Sequence, residues 1–265
     1  MRFAKAHAYG NDFLYVELSA IEGVPEALVA SRAREMCDRH TGVGADGLIV
    51  YSRSHEGASM QLLNADGGRA EVSGNGLRGL GALLLQDDAR SGSQLTIQTD
   101  AGPKRLTRTE RTGSRQTFRT AMGLPRDVRQ ITLTAAGESL PLVVLDIGNP
   151  QCVLLGTLPD PERFARIGPA LERHDQFPHG TNVEFAEVEA SGRVRILIWE
   201  RGVGPTQSSG TGSCAALVAA AAFGGASRSA DVVAPGGTQL VEWLDDSVYL
   251  TGWAEVVCTG DWLKP

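Results

Sequence analysis

The tetrapeptide Ser73-Gly74-Asn75-Gly76 and the apolar run that follows it occur twice in this chain, the second time as Ser209-Gly210-Thr211-Gly212 with its own apolar run. A second pair of segments, Gly10-Asn11-Asp12-Phe13 and Gly148-Asn149-Pro150-Gln151, is separated by 138 positions, against 136 for the first pair. Two nearly equal offsets indicate a duplicated structural unit. The sequence therefore predicts two similar halves that meet near residue 119, with Arg119-Thr120 in the connection.

Each serine-glycine turn opens a pattern typical of an apolar helix. The N-terminus of a helix exposes unpaired N–H groups and the positive end of the helix dipole, which together favour an anion. Glycine lets a ligand approach the backbone closely, so the two termini could close on one carboxylate. The simpler alternative is that Ser73 and Ser209 are ordinary N-caps, a position at which serine is common. The apolar positions are Leu77, Leu80, Leu83 and Leu84 in the first copy, and Ala215, Leu217, Val218 and Ala221 in the second.

Composition places the chain among globular proteins. It has 265 residues, 42% of them hydrophobic and 21% charged. Its 32 glycines make up about 12% of the 265 residues, against a usual share of about 7%. We therefore expect many tight backbone positions. The net charge is -6, and the sequence has no block of like charges. Both features argue against a nucleic acid or a membrane surface as partner.

The cysteines and the N-terminus bear on location. Four cysteines lie far apart and show no C-x-x-C spacing, so we expect neither a zinc site nor a disulfide framework. This usage fits a reducing compartment, and the longest apolar stretch, residues 215–223, is too short to span a bilayer. The N-terminus lacks an apolar signal region. We therefore expect a cytoplasmic protein without a membrane partner.

Local patterns favour an α+β fold. Short runs rich in β-branched and aliphatic residues, separated by glycine or proline, predict strands. Helix patterns cover residues 25–39 and begin again at Asp160, where Asp160-Pro161-Glu162 reads as an N-cap, a proline at the first helical position and an acidic first turn. The clearest predicted strands are residues 13–16, 48–51, 95–97, 142–145 and 194–198.

Ordered motifs along the whole chain resemble those of the diaminopimelate epimerase family. Besides the duplicated segments, they are Thr41-Gly42-Val43-Gly44-Ala45-Asp46-Gly47, Asn64-Ala65-Asp66-Gly67, Gly180-Thr181-Asn182-Val183, Glu200-Arg201-Gly202-Val203-Gly204, and Ser213-Cys214-Ala215-Ala216 directly after the second tetrapeptide. The resemblance implies two pseudo-symmetric halves, each a β-barrel-like sheet around a central helix. Residues 1–118, joined by 255–265, would form one half and residues 119–254 the other, with the active site in the cleft between them.

The same resemblance implies an activity. The family interconverts LL- and meso-diaminopimelate for lysine and cell-wall synthesis, without metal or cofactor. We therefore expect a cofactor-independent epimerase of a small amino-dicarboxylate, and the family also suggests a homodimer. By resemblance, the proton-transferring positions are Ser73 and Ser209, and the reacting carboxylate lies on Gly74, Asn75, Gly210 and Thr211. Asn64, Asn182 and Arg201 would hold the far end, Glu200 the amino side, and Asn11 and Asn149 would line the pocket.

Each of these residues also has a simpler explanation. Asparagine is a common turn residue, which could account for Asn11, Asn64, Asn149 and Asn182. The pair Glu200-Arg201 could be an ordinary surface ion pair of little energetic weight. Their occurrence together favours the pocket.

The chain departs from the family where the chemistry takes place. The resemblance implies cysteine at positions 73 and 209, and serine stands at both. A thiol titrates near pH 8.5 and becomes a usable base at a helix N-terminus, whereas a serine hydroxyl needs an adjacent base. In addition, Gln151 replaces a histidine and Pro205 a glutamate of the family pattern.

Several explanations of the serines stay open. They could be engineered to disable an epimerase, or the chain could be a natural relative whose chemistry has changed. A divergent isomerase or lyase would need a carboxylate base, and Asp46, Asp66 and Glu71 are candidates, although turn or surface positions suit them better. Phenazine-biosynthesis isomerases, which use a carboxylate, offer an analogy. A disabled ligand-binding variant is the third possibility. Cys214, inside the second helix, is expected to be a small core residue.

Overall fold

The chain folds into two compact units. The structure, a computed structural model, describes residues 1–21, 23, 25–90 and 92–264. One unit comprises residues 1–120 together with 252–265, and the other comprises residues 121–251. Of the C-terminal segment expected to join the first half, Pro265 lies outside the described residues.

The described part of the first unit contains two α-helices among its strands, and strand β8 (Arg115–Gly123) runs on into residues of the second unit. A short 3-10 helix, Leu18–Ile21, lies between β2 and α1. The elements are β1 (Arg2–Ala8), β2 (Asn11–Glu17), α1 (Glu26–Cys37), β3 (Gly47–Ser54), β4 (Gly57–Asn64), β5 (Arg69–Ala70), α2 (Gly74–Leu84), β6 (Gln94–Thr99), β7 (Gly102–Thr112) and β8 (Arg115–Gly123).

The second unit repeats this order of elements. Its last strand continues into the residues of the first unit. The elements are β9 (Arg126–Ala135), β10 (Glu138–Asp146), β11 (Pro150–Leu155), α3 (Pro161–Glu172), β12 (Asn182–Ala190), β13 (Arg193–Glu200), β14 (Gly204–Thr206), α4 (Gly210–Phe223), β15 (Ser229–Ala234), β16 (Gly237–Trp243) and β17 (Val248–Asp261).

Strand pairing follows one pattern in both units. In the first, β1/β2 is antiparallel, β2/β3 parallel, β3/β4 antiparallel, β4/β6 parallel and β6/β7 antiparallel. In the second, β10/β11, β11/β12, β12/β13, β13/β15 and β15/β16 alternate in the same way. The duplication inferred from sequence is therefore a duplication of topology, and the α+β, barrel-like fold with pseudo-symmetric halves is confirmed.

The strands of each unit enclose a central helix. Every residue of α2 from Gly74 to Ala82 is buried, and so is every residue of α4 from Gly210 to Ala220. A helix that is apolar on all sides must be enclosed, and the alanine-rich α4 has that composition. Both helices pack against inward-facing side chains of the strands of their own unit.

The outer helices cover the other face of the same strands. Ala33 and Met36 of α1 pack with Leu14 and Leu48, whose neighbours along the strands face α2. Strands β2 and β3 are thus buried on both faces, which explains their continuous apolar runs. Ile167 and Leu171 of α3 cover β11 and β12 in the second unit in the same way.

Most local predictions are confirmed and two need adjustment. The five predicted strands lie within β2, β3, β6, β10 and β13. The first helix ends at Cys37 instead of residue 39, because the Asp38 carboxylate accepts from the N–H groups of His40 and Thr41 and so forms a turn. Arg119-Thr120 lies inside strand β8 and is not a separate linker.

Within the described residues, no helix is long and apolar enough to cross a membrane. The same part of the chain contains no group of three or more His, Cys, Asp or Glu side chains placed to hold a metal ion.

Candidate active site

Both serines stand at the N-caps of the central helices. Ser73 has extended backbone angles, and its Oγ accepts from the N–H of Gly76 at 3.1 Å. Ser209 does the same for Gly212, also at 3.1 Å. The N-cap interpretation is thus correct for both, and it leaves the N–H groups of the first two helical residues directed beyond the helix, where an anion is favoured.

A chain of oriented amides adjoins the N-terminus of α2. Asn75 Nδ2 donates to Asn11 Oδ1 at 3.0 Å, and Asn11 Nδ2 donates to Asp46 Oδ2 at 2.7 Å. The fully buried Arg78 donates to Asn75 Oδ1, which fixes the direction of the whole chain. Asn11 and Asn75 are therefore brought together and held in one orientation.

Asp46 closes this chain as a paired carboxylate. Arg39 Nη2 lies 2.7 Å from Asp46 Oδ1 and 2.7 Å from Asp12 Oδ1, and Lys5 Nζ lies 2.9 Å from Asp12 Oδ2. Burial raises the pKa of Asp12, but hydrogen bonds from Arg39 and Lys5 outweigh it and leave that pKa lowered. With these partners Asp46 has a structural role, and Asp66 likewise accepts from the Gly68 N–H at 2.7 Å in a turn.

The N-terminus of α4 has an equivalent arrangement with different residues. Asn149 Nδ2 donates to Thr211 Oγ1 at 3.4 Å, and Thr211 Oγ1 lies 3.5 Å from Ser209 Oγ. Gln151 Nε2 donates to Asn149 Oδ1 at 2.5 Å. Asn149 and Thr211 thus correspond to Asn11 and Asn75, and Gln151, where the motif resemblance led us to expect a histidine, contacts the same cluster.

Two buried side chains, Glu172 and Asn182, hold the Glu200-Arg201 turn. Glu172, near the end of α3, accepts from the Gly202 N–H at 2.9 Å and from Trp199 Nε1 at 2.8 Å. Asn182 Oδ1 accepts from the Arg201 N–H at 3.0 Å, and Asn182 Nδ2 donates to the Pro150 carbonyl. The amide of Asn182 therefore serves backbone groups, and it fixes the Arg201 turn.

The remaining predicted residues lie at element ends. Glu200 and Arg201 are half-buried, at and just after the end of β13. Asn64 is half-buried at the end of β4, and its carbonyl accepts from the Gly67 N–H in the turn that leads towards α2.

Sequence reasoning missed three buried charged residues. Arg78, Glu172 and Glu184 are 0%, 7% and 0% exposed, and each contacts the predicted site residues or their supports. A signal for Glu184 existed, because a glutamate between Val183 and Phe185 interrupts the apolar run of a strand. Three of the four thiols are enclosed and offer no replacement for the serines, since Cys37, Cys152 and Cys214 are buried within the core clusters, and Cys258 is exposed on β17.

Comparison with known proteins now decides the family. The family model for diaminopimelate epimerase matches residues 3–127 and 143–257. The chain belongs to the diaminopimelate epimerase family. It is 39% identical over 284 residues to the diaminopimelate epimerase of Desulforudis audaxviator, with 100% of both chains covered. It is 37% identical to that of Desulfitobacterium hafniense, covering 98% of this chain and 97% of the relative.

Solved structures share the diaminopimelate epimerase fold with this chain. A hydroxyproline epimerase from Agrobacterium vitis superposes with a TM-score of 0.73 at 16% identity, covering 98% of this chain and 91% of its own. A phenazine biosynthesis protein of the PhzF family from Bacillus anthracis gives 0.70 at 15% identity, covering 100% and 99%. At such identities the likeness concerns the fold, and the family resemblance predicted from the motifs is confirmed by the closer relatives.

Proposed function

We propose that this protein is a cofactor-independent epimerase that exchanges the α-proton of an amino acid with a second polar end, with diaminopimelate as the first candidate. The observation that carries the proposal is the common construction of both helix N-termini: a serine cap, a glycine-lined first turn and a buried asparagine beside it. Such a terminus stabilises negative charge, and α-proton removal places additional negative charge on the substrate carboxylate. The names of the relatives support the same substrate class.

The proposal gives the predicted residues separate roles. Ser73 and Ser209 are the two proton-transferring positions, and the N-terminus of the helix behind each serine favours the negative charge of the substrate carboxylate. Arg201 binds a distal carboxylate, because a guanidinium pairs with it in a bidentate manner. Glu200 and Asn64 complete the distal end, while Asn182 acts through the backbone of Arg201. Asn11 and Asn149 orient the second helical residues, Asn75 and Thr211.

The family resemblance extends the proposal beyond the site. We place the reaction in the synthesis of lysine and of cell-wall precursors in the cytoplasm, by a homodimer. Light scattering of the purified chain at several concentrations measures the oligomeric state, and a mass of one chain throughout would contradict the dimer.

Heavy water tests the proposed reaction directly. The protein is incubated in deuterium oxide with LL-diaminopimelate, meso-diaminopimelate and shorter amino-dicarboxylates, and NMR measures deuterium at the α-carbon. We expect incorporation with at least one of them. No incorporation with any of them would contradict the proposal.

Restoring the thiols measures the cost of the serines. Because a thiol at a helix N-terminus is a far better base than a hydroxyl, Ser73→Cys with Ser209→Cys is expected to raise the exchange rate at least about 100-fold. Ser191→Cys, in an exposed turn, is the matched control and should leave the rate unchanged. A restored double variant that is no faster than the parent would argue against diaminopimelate as the substrate.

A further inference from the structure

A buried carboxyl group lies beside Ser209 at the start of α4. Glu184 is 0% exposed, and its Oε1 is 2.6 Å from the point where a Cβ on Gly212 would stand. Ser209 Oγ is 3.2 Å from the same point. The carboxyl and the hydroxyl are therefore neighbours, separated by no more than the sum of these two distances, which a side-chain rotation or one bridging water can span. Glycine at 212 leaves the room that the carboxyl occupies.

The equivalent position in the first unit is apolar. Tyr15 pairs with Ile49 across β2 and β3, as Val153 pairs with Glu184 across β11 and β12. Ile49 Cδ1 lies 2.7 Å from a Cβ placed on Gly76, so it fills the place beneath α2 that Glu184 fills beneath α4. The fold thus accepts an aliphatic side chain at this position, and the acid at 184 is not needed to build the barrel.

The side chain of Gln151 lies against Glu184 and can accept a proton donated by it. The amide oxygen of Gln151 faces both carboxyl oxygens, at 3.0 and 3.2 Å, while the amide nitrogen donates to Asn149. In this orientation a protonated Glu184 donates its O–H to the Gln151 oxygen. With the amides of Gln151 and Asn149 both rotated, the Gln151 nitrogen would donate to the carboxyl group instead, and its oxygen would accept from Asn182 Nδ2 at 3.2 Å.

The surroundings favour the same protonation state. Burial, assisted by the negative charge of Glu200, raises the pKa of Glu184 well above its ordinary value. The groups facing Glu184 are Gln151 and Cys152 on β11, Glu200 on β13 and the first turn of α4. Burial also raises the pKa of the Cys152 thiol, which therefore stays neutral. None of the groups named here is a cation that would offset the cost of burying a carboxylate.

We propose that Glu184 is the proton donor and acceptor that makes Ser209 competent in α-proton exchange, an inference that rests on the proposed function. In the forward step Glu184 transfers its acid proton to Ser209 Oγ, while the Ser209 hydroxyl proton passes to the α-carbanion, whose electron pair forms the new C–H bond. Glu184 is left ionised, and the reverse step returns the proton to it. Glu184 acts through Ser209 and does not contact the substrate, so it is a positioning residue in this reaction.

Exchange measured separately for each substrate isomer tests this role. Glu184→Gln keeps the shape and removes the transferable proton, and we expect α-deuterium exchange of the isomer handled by Ser209 to fall at least about 100-fold. Substrate affinity, measured by calorimetry, should change less than threefold. Ser209→Ala should give a similar loss, and the double variant should be no slower than either single variant, because both remove one relay. Wild-type exchange should also decline at high pH as Glu184 ionises, a dependence that Glu184→Gln should lack.

Controls separate the possible failures. Glu187→Gln, in the same strand, should exchange at the wild-type rate. Glu184→Asp retains an acid and should keep measurable exchange. If Glu184→Gln does not fold, the Asp variant and the wild-type pH profile test the role of Glu184 instead. A wild-type exchange rate that does not decline at high pH overturns the proposal. Wild-type exchange that survives undiminished in folded Glu184→Gln overturns the role of Glu184 alone. Absence of exchange in the wild type with every amino acid tested overturns the proposed function as well.

Discussion

At the residue scale, two carboxyl groups near the site lie in opposite environments. Asp46 is half-buried and forms an ion pair with Arg39 Nη2 at 2.7 Å. Glu184 is enclosed by apolar strands, an amide and a second carboxylate, which favour its neutral form. The first group is held in a polar network by its partners, and the second is the one to which we assign proton transfer with Ser209.

The neutral state of Glu184 predicts a pH-dependent stability difference. The unfolded chain releases this proton near pH 4.5, whereas the folded chain keeps it, so its stabilising contribution is complete below that pH and is lost as the pH rises towards the raised folded pKa. Relative to wild type, Glu184→Gln should therefore gain free energy of unfolding as the pH rises from 5 to 7. Urea denaturation of both proteins at each pH measures this. If the two proteins differ in free energy of unfolding by the same amount at pH 5 and at pH 7, Glu184 is ionised in the fold.

At the element scale, the central helices depend on small residues. Gly79 lies in the middle of α2, and a Cβ there would stand 2.0 Å from the hydroxyl of the buried Tyr15. That hydroxyl donates to the Gly76 carbonyl at 3.0 Å, so the tyrosine supports the first turn of the helix. A larger residue at 79 would have to displace either the tyrosine or the helix.

Gly79→Ala should consequently destabilise the protein despite alanine's higher helix propensity. We expect a loss of about 1–3 kcal/mol in the free energy of unfolding, since overpacking outweighs the gain in propensity. Gly192→Ala is the matched control, because a Cβ there has nothing within 4 Å, and it should change stability by less than about 0.5 kcal/mol. Adding Tyr15→Phe to Gly79→Ala removes the closest atom and should recover part of the loss. Full stability of Gly79→Ala would contradict this account of α2 packing.

At the scale of the whole molecule, one strand serves both units. Residues 248–251 of β17 pair with β16, and residues 255–261 pair with β1, where Arg2 lies opposite Asp261. The terminal residues Met1 and Trp262 exchange two backbone hydrogen bonds of 2.8 Å. The segments near the two ends of the chain are therefore neighbouring strands of the first unit.

Truncation tests this dependence. A chain that ends at Thr251 leaves β1 without the partner strand that residues 255–261 supply, and the first unit should lose its cooperative unfolding transition. A chain that ends at Trp262 keeps the pairing of β17 with β1 and β16 and loses the exposed Leu263, so it should unfold as the full chain does. Calorimetry of the three chains compares them. If the unfolding transition of the first unit is unchanged in the chain that ends at Thr251, the first unit does not need this strand.

The sequence by itself determined the duplication, the α+β class, the strands and the two serine-capped helices. These follow from local patterns, because turn glycines, apolar periodicity and caps act over a few residues. The sequence motifs also predicted, by family resemblance, that the asparagines and the Glu200-Arg201 turn belong to the site.

Only the tertiary structure decided which polar groups share a neighbourhood. Glu184 lies 33 positions from Gln151 and 25 from Ser209 along the chain, and strand pairing and helix burial bring the three together. The protonation state of a carboxyl group depends on this enclosure and on the charges around it, which no local pattern records. For the same reason Asp46, a candidate base in the sequence, is a paired structural carboxylate in the fold.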